Sequence, residues 1–240
     1  MLYLPPVILF DLDDTLISFD GVTAPALEIS LNSFFNKYSP GFTKDELTNA
    51  RKKAARLFWS DPVRNKAGRE NMRQARRDVF KLTFEELGIS DERLSNELAD
   101  SYTEQHNELI CLFPNTIPVL TELKSRGVRM GLITNGASDG QRDKLKRFDL
   151  ERYFEAILID QEVGYSKPDK RIFRHALEIL GVSSADAWMV GDSFAWDVAG
   201  AQSAGIFAIW HDYEKSGLPA DADVIPDRII NDLSELLKPV

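Results

Sequence analysis

The feature that most constrains the fold is an alternation of textures. Five short runs, VILF (7–10), VRMGLIT (128–134), EAILI (155–159), AWMVG (187–191) and GIFAIW (205–210), consist largely of apolar, often β-branched residues. That is the composition of strands buried on both faces. Amphipathic stretches at 115–126, 138–147, 169–180 and 194–204 alternate with them, and Gly127 and Gly181 suit helix C-termini. Strands and helices alternating at this spacing predict an α/β fold: a parallel, doubly wound sheet with right-handed crossovers. One long interval departs from the pattern. Residues 17–112 read as helical throughout, so 1–16 and 113–240 are expected to form one sheet domain, interrupted after its first strand by an all-α cap at 17–112.

Within the cap, Thr43 followed by Glu46 has the pattern of a capping box and predicts a helix to about Trp59. Ser90 is expected to cap another through Leu109, and residues 65–87 set Met72, Ala75, Val79 and Phe80 at helical spacing. Arg69, Arg73 and Arg76 read as a stripe beside that apolar face, turned either to a cleft or to solvent. Phe58, Trp59 and Phe80 are available either to stack on a base or to fill a core. Charge is uneven. Residues 51–81 hold eleven Lys or Arg against three acids, a net +8, so the rest of the chain carries −17 of an overall −9. An acidic remainder repels a polyanion, which argues against nucleic acid as a partner.

A chain of 240 residues, 43 % apolar and 28 % charged, has the composition of an ordinary globular protein. No apolar stretch approaches the roughly 20 residues of a membrane-spanning helix, and the apolar start is cut off by Asp11 with no basic residue before it. A cytoplasmic location without membrane attachment is the expectation. Cys111 is the single cysteine, and His106, His175 and His211 are too scattered for a local metal motif.

In a doubly wound sheet, ligands bind beyond the carboxyl ends of the strands. Four polar segments fall there: Asp11, Asp13, Asp14 and Thr15 after the first strand; Thr134, Asn135 and Gly136 after the second; Lys167 in GYSKPD after the third; Gly191, Asp192 and Ser193 after the fourth. Each alone has an ordinary reading, as a turn, a helix cap or a surface lysine. Together they converge on one mouth equipped for a metal ion and a phosphate group. Three carboxylates in FDLDDTL repel unless water or a cation holds them. An EF-hand reading fails, because Leu16 and Val22 stand where glycine and glutamate are required. Asp11 and Asp192 are expected to supply hard oxygen ligands to Mg²⁺, with Asp11 the nucleophile and Asp13 the proton donor and acceptor. Thr134 and Lys167, with Asn135 and Gly136 beside them, would bind phosphate oxygens. Asp197 would orient Lys167 or touch metal-bound water, and Asp14 is expected to be solvated or paired locally.

These segments resemble the motifs of the haloacid dehalogenase superfamily of phosphohydrolases: DLDDT at 11–15, TNG at 134–136, Lys167 in SKPD, and GDSFAWD at 191–197. The resemblance implies a Rossmann-like core, a helical type 1 cap, Mg²⁺ dependence and an aspartyl-phosphate mechanism. It also implies that Asp13 gives its backbone carbonyl to the metal, that Asp192 is the direct acidic ligand, and that Asp197 supports it. Metal-free dehalogenases of the family lack the second aspartate, so Asp13 argues against dehalogenation. The general character is most similar to the branch of pyrimidine nucleotidases and N-acylneuraminate-9-phosphatases. The expected function is hydrolysis of a small phosphate monoester, of nucleotide or sugar phosphate type, by a monomer or homodimer. Two alternatives stand beside it: a phosphomutase of the β-phosphoglucomutase type, which shares cap and catalytic set, and a non-enzymatic receiver-like phosphoacceptor, which leaves the long cap unexplained.

Overall fold

The computed structural model describes residues 4–218 and 222–238. Strand β1 (Val7–Phe10) is followed by a short strand β2 (Ile17–Ser18) and the helices α1 (Thr23–Tyr38), α2 (Lys44–Ser60), α3 (Pro62–Glu70), α4 (Met72–Glu86) and α5 (Glu92–Leu109). Then come β3 (Cys111–Leu112), α6 (Thr116–Ser125), β4 (Arg129–Thr134), α7 (Ser138–Arg147), β5 (Ala156–Ile159), the single turn α8 (Asp160–Val163) and α9 (Lys170–Leu180). Strand β6 (Ala187–Gly191) leads through a π-helical turn (Phe194–Val198) into α10 (Ala199–Ser203), β7 (Phe207–His211) and β8 (Arg228–Ile230). The chain divides into two compact units, Met1–Asp20 with Cys111–Val240, and Gly21–Ile110.

The first unit is the α/β architecture that the alternation predicts. Its sheet is parallel, in the order β5–β4–β1–β6–β7–β8. Strand order turns back at β1, which lies between β4 and β6, so the switch point of the sheet falls at the carboxyl end of VILF. All four residues of β1 are fully buried, as a central strand covered on both faces requires. Val7 and Leu9 point to one face, where Ile133, Leu158 and Met189 meet Ile172, Phe173, Ala176 and Leu180 of α9. Alternation sends Ile8 and Phe10 to the opposite face, where the Phe10 ring lies 6.3 Å from that of Phe154. Three strands lie outside the predicted set. β8 is three residues long, and β2 pairs antiparallel with β3 as a two-residue ribbon. That ribbon sits inside the stretch that reads as helical, and it belongs to the sheet unit. Sequences this short carry too little periodicity to stand out. The predicted helix at 194–204 is a π turn joined to a short α-helix instead of one regular element.

The second unit is a helical bundle built on contacts of α1 with α5, α4 with α5 and α2 with α4. One cluster gathers Leu27, Phe34, Leu47, Phe80, Phe84, Leu98 and Tyr102; a smaller one holds Ala54, Phe58, Ala75 and Val79. Phe58 and Phe80 are therefore core residues, with Trp59 packed edge-on against Phe58 at 5.0 Å. The expected single helix over 65–87 is two. Asp61 caps α3 ahead of Pro62, and Asn71 ends it while capping α4 through the Gln74 N–H. Arg69 thus lies on one helix and Arg73 and Arg76 on the next. Arg76 is buried with its guanidinium 5.2 Å from the Tyr102 ring centre, so the three make no continuous stripe. The basic window is balanced locally in part, by a bidentate Arg77–Asp100 pair at 3.0 and 2.7 Å and by Lys53–Glu86 at 3.0 Å. Among the described residues, no helix is long and apolar enough to cross a membrane.

The capping box at Thr43 is present, with the Glu46 carboxylate returning to the Thr43 N–H at 2.7 Å. The cap of α5 is Asp91, whose carboxylate accepts from the Leu94 N–H at 2.9 Å, and not Ser90. Removing an N-cap acceptor costs about 1 kcal/mol. Asp91→Ala is therefore expected to lower stability by that amount while Ser90→Ala changes it by less than about 0.5 kcal/mol, as read by urea denaturation followed by circular dichroism.

Candidate active site

The β1 ladder extends one residue past the strand, through a hydrogen bond from the Asp11 N–H to the Val190 carbonyl at 2.9 Å. The chain then turns sharply, with Asp14 in the left-handed region at φ 59° and its N–H donating to the Ile17 carbonyl at 2.7 Å. The Asp14 carboxylate accepts from the Phe19 N–H at 2.8 Å and the Asp20 N–H at 2.9 Å. Of the two expectations for Asp14, local pairing is the one found. Burial, and then the charge of Asp20, push its carboxyl up to about 6, against the pull of those two N–H groups. His211 lies behind this turn, its Nδ1 3.3 Å from the Asp14 carbonyl and its ring edge-on to Phe113.

Lys167 is the centre of the site. Its Nζ donates to Asp11 Oδ1 at 2.5 Å and to Asp197 Oδ1 at 2.6 Å, and all three side chains are at least nine-tenths buried. Asp197 Oδ2 accepts from the Ser193 N–H at 3.0 Å. The π turn brings this about: the N–H groups of Asp197 and Val198 both donate to the Ser193 carbonyl, at 2.9 and 3.2 Å, folding Asp197 back over the end of β6. There Gly191 makes room, because a Cβ at that position would stand 2.3 Å from Asp197 Cγ. Asp192 is pinned by its backbone, its N–H donating to Thr15 Oγ1 at 3.1 Å and its carbonyl accepting from Trp210 Nε1 at 2.7 Å.

One carboxylate oxygen from each of Asp11, Asp192 and Asp197 lies within 4.8 Å of the others. When all are ionised, three carboxylates against one ammonium leave two negative charges in excess. Burial, only partly opposed by Lys167, pushes the Asp11 carboxyl up to about 7. Burial, with the charges of Asp11 and Asp197 added, pushes Asp192 up to about 9. For Lys167 burial works the other way, but the two aspartates outweigh it and hold its ammonium above its usual value. Among the described residues no side chain or N–H donates to Asp11 Oδ2 or to the Asp192 carboxylate. An all-oxygen donor set carrying excess negative charge fits Mg²⁺, which takes one or two carboxylates and fills its remaining positions with water and phosphate. The cluster is one of side-chain carboxylates, and the Asp13 carboxylate is not part of it.

The Asp13 carboxylate faces α7 instead. Lys144 Nζ donates to its Oδ1 and Oδ2 at 2.7 and 2.8 Å, and Gln141 Nε2 donates to Oδ2 at 3.0 Å. Gln141 Nε2 also donates to Thr134 Oγ1 at 2.5 Å. Thr134 is buried at the end of β4, as expected, but the neighbouring groups are engaged elsewhere. The Asn135 side chain grips the Lys167 backbone, accepting from its N–H at 2.9 Å and donating to its carbonyl at 3.0 Å. The Gly136 N–H donates to Asp160 Oδ1 at 2.7 Å. The Asn135 side chain and the Gly136 N–H thus brace the loops that carry Lys167 and Thr134. Gln141 and Lys144 do not stand out in the sequence, because SDGQRDKLKR reads as an ordinary solvated helix. The available signal was their i, i+3 spacing, seven and ten residues after Thr134.

The family model for haloacid dehalogenase-like hydrolases matches residues 5–205, and the chain belongs to that family. It is 38 % identical to phosphoserine phosphatase of Thermus thermophilus, over 74 % of this chain and 65 % of that protein, just under two thirds of its length. Glyceraldehyde 3-phosphate phosphatase of Methanothermobacter thermautotrophicus is 33 % identical over 96 % and 98 %. Pyrimidine 5'-nucleotidase YjjG of Escherichia coli is 30 % identical over 85 % and 84 %. Among solved structures, HAD-hydrolase YfnB of Bacillus subtilis, bound to magnesium, shares the fold at TM-score 0.72 and 24 % identity, over 96 % of each chain. A 2-haloacid dehalogenase of Pseudomonas syringae aligns at TM-score 0.62 and 30 % identity, over 99 % and 97 %.

A cation that relieves the carboxylate repulsion stabilises the folded chain by mass action, by about 2.7 kcal/mol at a hundredfold excess over its dissociation constant. Millimolar Mg²⁺ is expected to raise the melting temperature by several degrees in calorimetry, and Asp192→Asn to abolish that rise.

Proposed function

We propose that the chain is a Mg²⁺-dependent phosphatase that hydrolyses a small phosphate monoester through an aspartyl phosphate on Asp11. The observation that carries this reading is the buried Asp11 carboxylate, held through Oδ1 by Lys167 while Oδ2 meets no donor among the described residues, at the mouth where Asp192 and Thr134 also lie. A carboxylate anchored by one oxygen presents the other as an oriented nucleophile. Mg²⁺, held by Asp11 and Asp192, would neutralise phosphate charge and polarise the reacting phosphoryl group.

The residues divide the work as follows. Asp11 attacks phosphorus and the ester P–O bond breaks, its electron pair passing to the leaving oxygen, which takes a proton from Asp13. Water then attacks the phosphorus of the aspartyl phosphate and gives a proton back to Asp13, releasing phosphate and restoring the Asp11 carboxylate. Thr134 and Lys167 carry donors suited to phosphate oxygens, and Lys167 also offsets charge as it develops. Asp197 holds Lys167 in place. Small phosphate monoesters are the substrates named for the phosphoserine, glyceraldehyde 3-phosphate and pyrimidine nucleotide relatives, which supports that substrate class. Asp13 separates this reading from that of a metal-free dehalogenase, where no leaving alkoxide needs a proton.

The test is hydrolysis of an aryl phosphate in Mg²⁺. EDTA is expected to abolish it, added Mg²⁺ to restore it, and Asp11→Asn to bring it to background, while Asp13→Asn costs about 10²- to 10⁴-fold. Activity that survives Asp11→Asn overturns the mechanism. Gly191→Ala, which displaces Asp197 and with it Lys167, is expected to lower kcat by roughly 10²-fold with the circular dichroism spectrum unchanged.

A further inference from the structure

We infer that Gln141 and Lys144, on one face of α7, are positioning residues that hold Asp13 where it delivers and recovers the proton. The inference rests on the phosphatase reading, since it assigns the partners of that reading's proton carrier. Aspartate turns about two side-chain bonds, and Asp13 stands on a tight turn beyond the last residue of β1. To serve both half-reactions it must return to one position. Three hydrogen bonds from α7 define that position, two from the Lys144 ammonium and one from the Gln141 amide, so that both carboxylate oxygens are held.

The arrangement is determined group by group. An ammonium only donates, so the Gln141 atom that Lys144 Nζ meets at 2.7 Å is the carbonyl oxygen, and the amide orientation follows. The two amide hydrogens then go to the two nearer acceptors, Asp13 Oδ2 and Thr134 Oγ1, with the Asn135 carbonyl farther off at 3.4 Å. Thr134, accepting from Gln141, keeps its own hydroxyl hydrogen available for a phosphate oxygen. One buried glutamine, 3 % exposed, therefore sets both the proton carrier and a phosphate donor. Lys144 is itself confined, its ammonium 4.2 Å from the centre of the Phe19 ring. Phe19 is in turn fixed by its N–H to Asp14. This gives the buried turn at Asp14 a second consequence, because it seats the ring against which Lys144 packs.

A Lys144–Asp13 pair that merely stabilised the fold would affect all substrates alike. A positioning pair affects most the substrates that need the proton most. The experiment is kcat/KM for a series of aryl phosphates, from p-nitrophenyl phosphate, whose leaving group departs without help, to phenyl and p-methylphenyl phosphate, whose leaving groups depend on protonation. For Lys144→Met and Gln141→Leu the expected loss is within about tenfold on p-nitrophenyl phosphate and on the order of 10²-fold or more on the poorest leaving group, since general acid catalysis is worth 10²- to 10⁴-fold. The plot of log kcat/KM against leaving-group pKa steepens accordingly. Lys144→Arg, which keeps charged donors, recovers part of the loss and serves as the second variant should Lys144→Met fail to fold. Variants that fall in parallel across the series, or not at all, overturn the inference while leaving the phosphatase reading intact. A wild type inert toward every member in Mg²⁺ overturns the phosphatase reading and this inference with it.

Discussion

The buried Lys167 ammonium is the contact through which three distant parts of the chain are held to a common point. It reaches Asp11 across 156 residues of sequence and Asp197 across 30. Such a triad is a poor way to stabilise a fold, because removing three charges from water costs about as much as their attraction returns. Its value lies in geometry. With its Oδ1 bound, Asp11 cannot rotate freely, and the excess negative charge left over prepares the site for a divalent cation and for nothing anionic without one. The braces around it have the same effect. Asn135 clamps the Lys167 backbone from both sides, Ser193 holds the far oxygen of Asp197, and Asp160 holds the Gly136 N–H.

The sheet makes these contacts available by aligning strand ends. Parallel pairing of β1 with β4 and β6 sets Phe10 opposite Leu132 and Val190, so the residues that follow each strand emerge side by side at the switch point. Turn chemistry then separates Asp11 from Asp13. The left-handed Asp14 reverses the chain at once, leaving Asp11 to face Lys167 while Asp13 faces α7. Two acids only two residues apart thereby receive different partners, the arrangement expected when one is to attack and the other to carry a proton.

Much of this was legible in the sequence, for identifiable reasons. Strands such as VILF and AWMVG are buried on both faces, and their uninterrupted apolar character is visible without knowing their neighbours. Asp11, Thr134, Lys167 and Asp192 were visible because each follows such a run. Ser90 against Asp91 was decided by a one-residue difference in where α5 begins, which spacing does not resolve. The break at Asn71 followed from a cap that looks like any other polar residue in a charged stretch. Gln141 and Lys144 were hidden most completely, because a helix with this many charged residues does not show which of its polar side chains meets a half-buried carboxylate from another loop.

The sequence by itself determined the order of the five long strands and the helices between them, the family, and the polar residues that follow the strand ends, because periodicity and strand-end position are local properties of the chain. Tertiary structure alone decided how those residues pair. Asp197 completes the acidic cluster, since a π turn folds it over the space left by Gly191. The Asn135 side chain and the Gly136 N–H act as braces because the Lys167 backbone and Asp160 lie within their reach. These outcomes depend on side-chain directions set by a left-handed residue, a widened helical turn and a missing Cβ, and each acquires its meaning only when elements far apart in the chain are packed together.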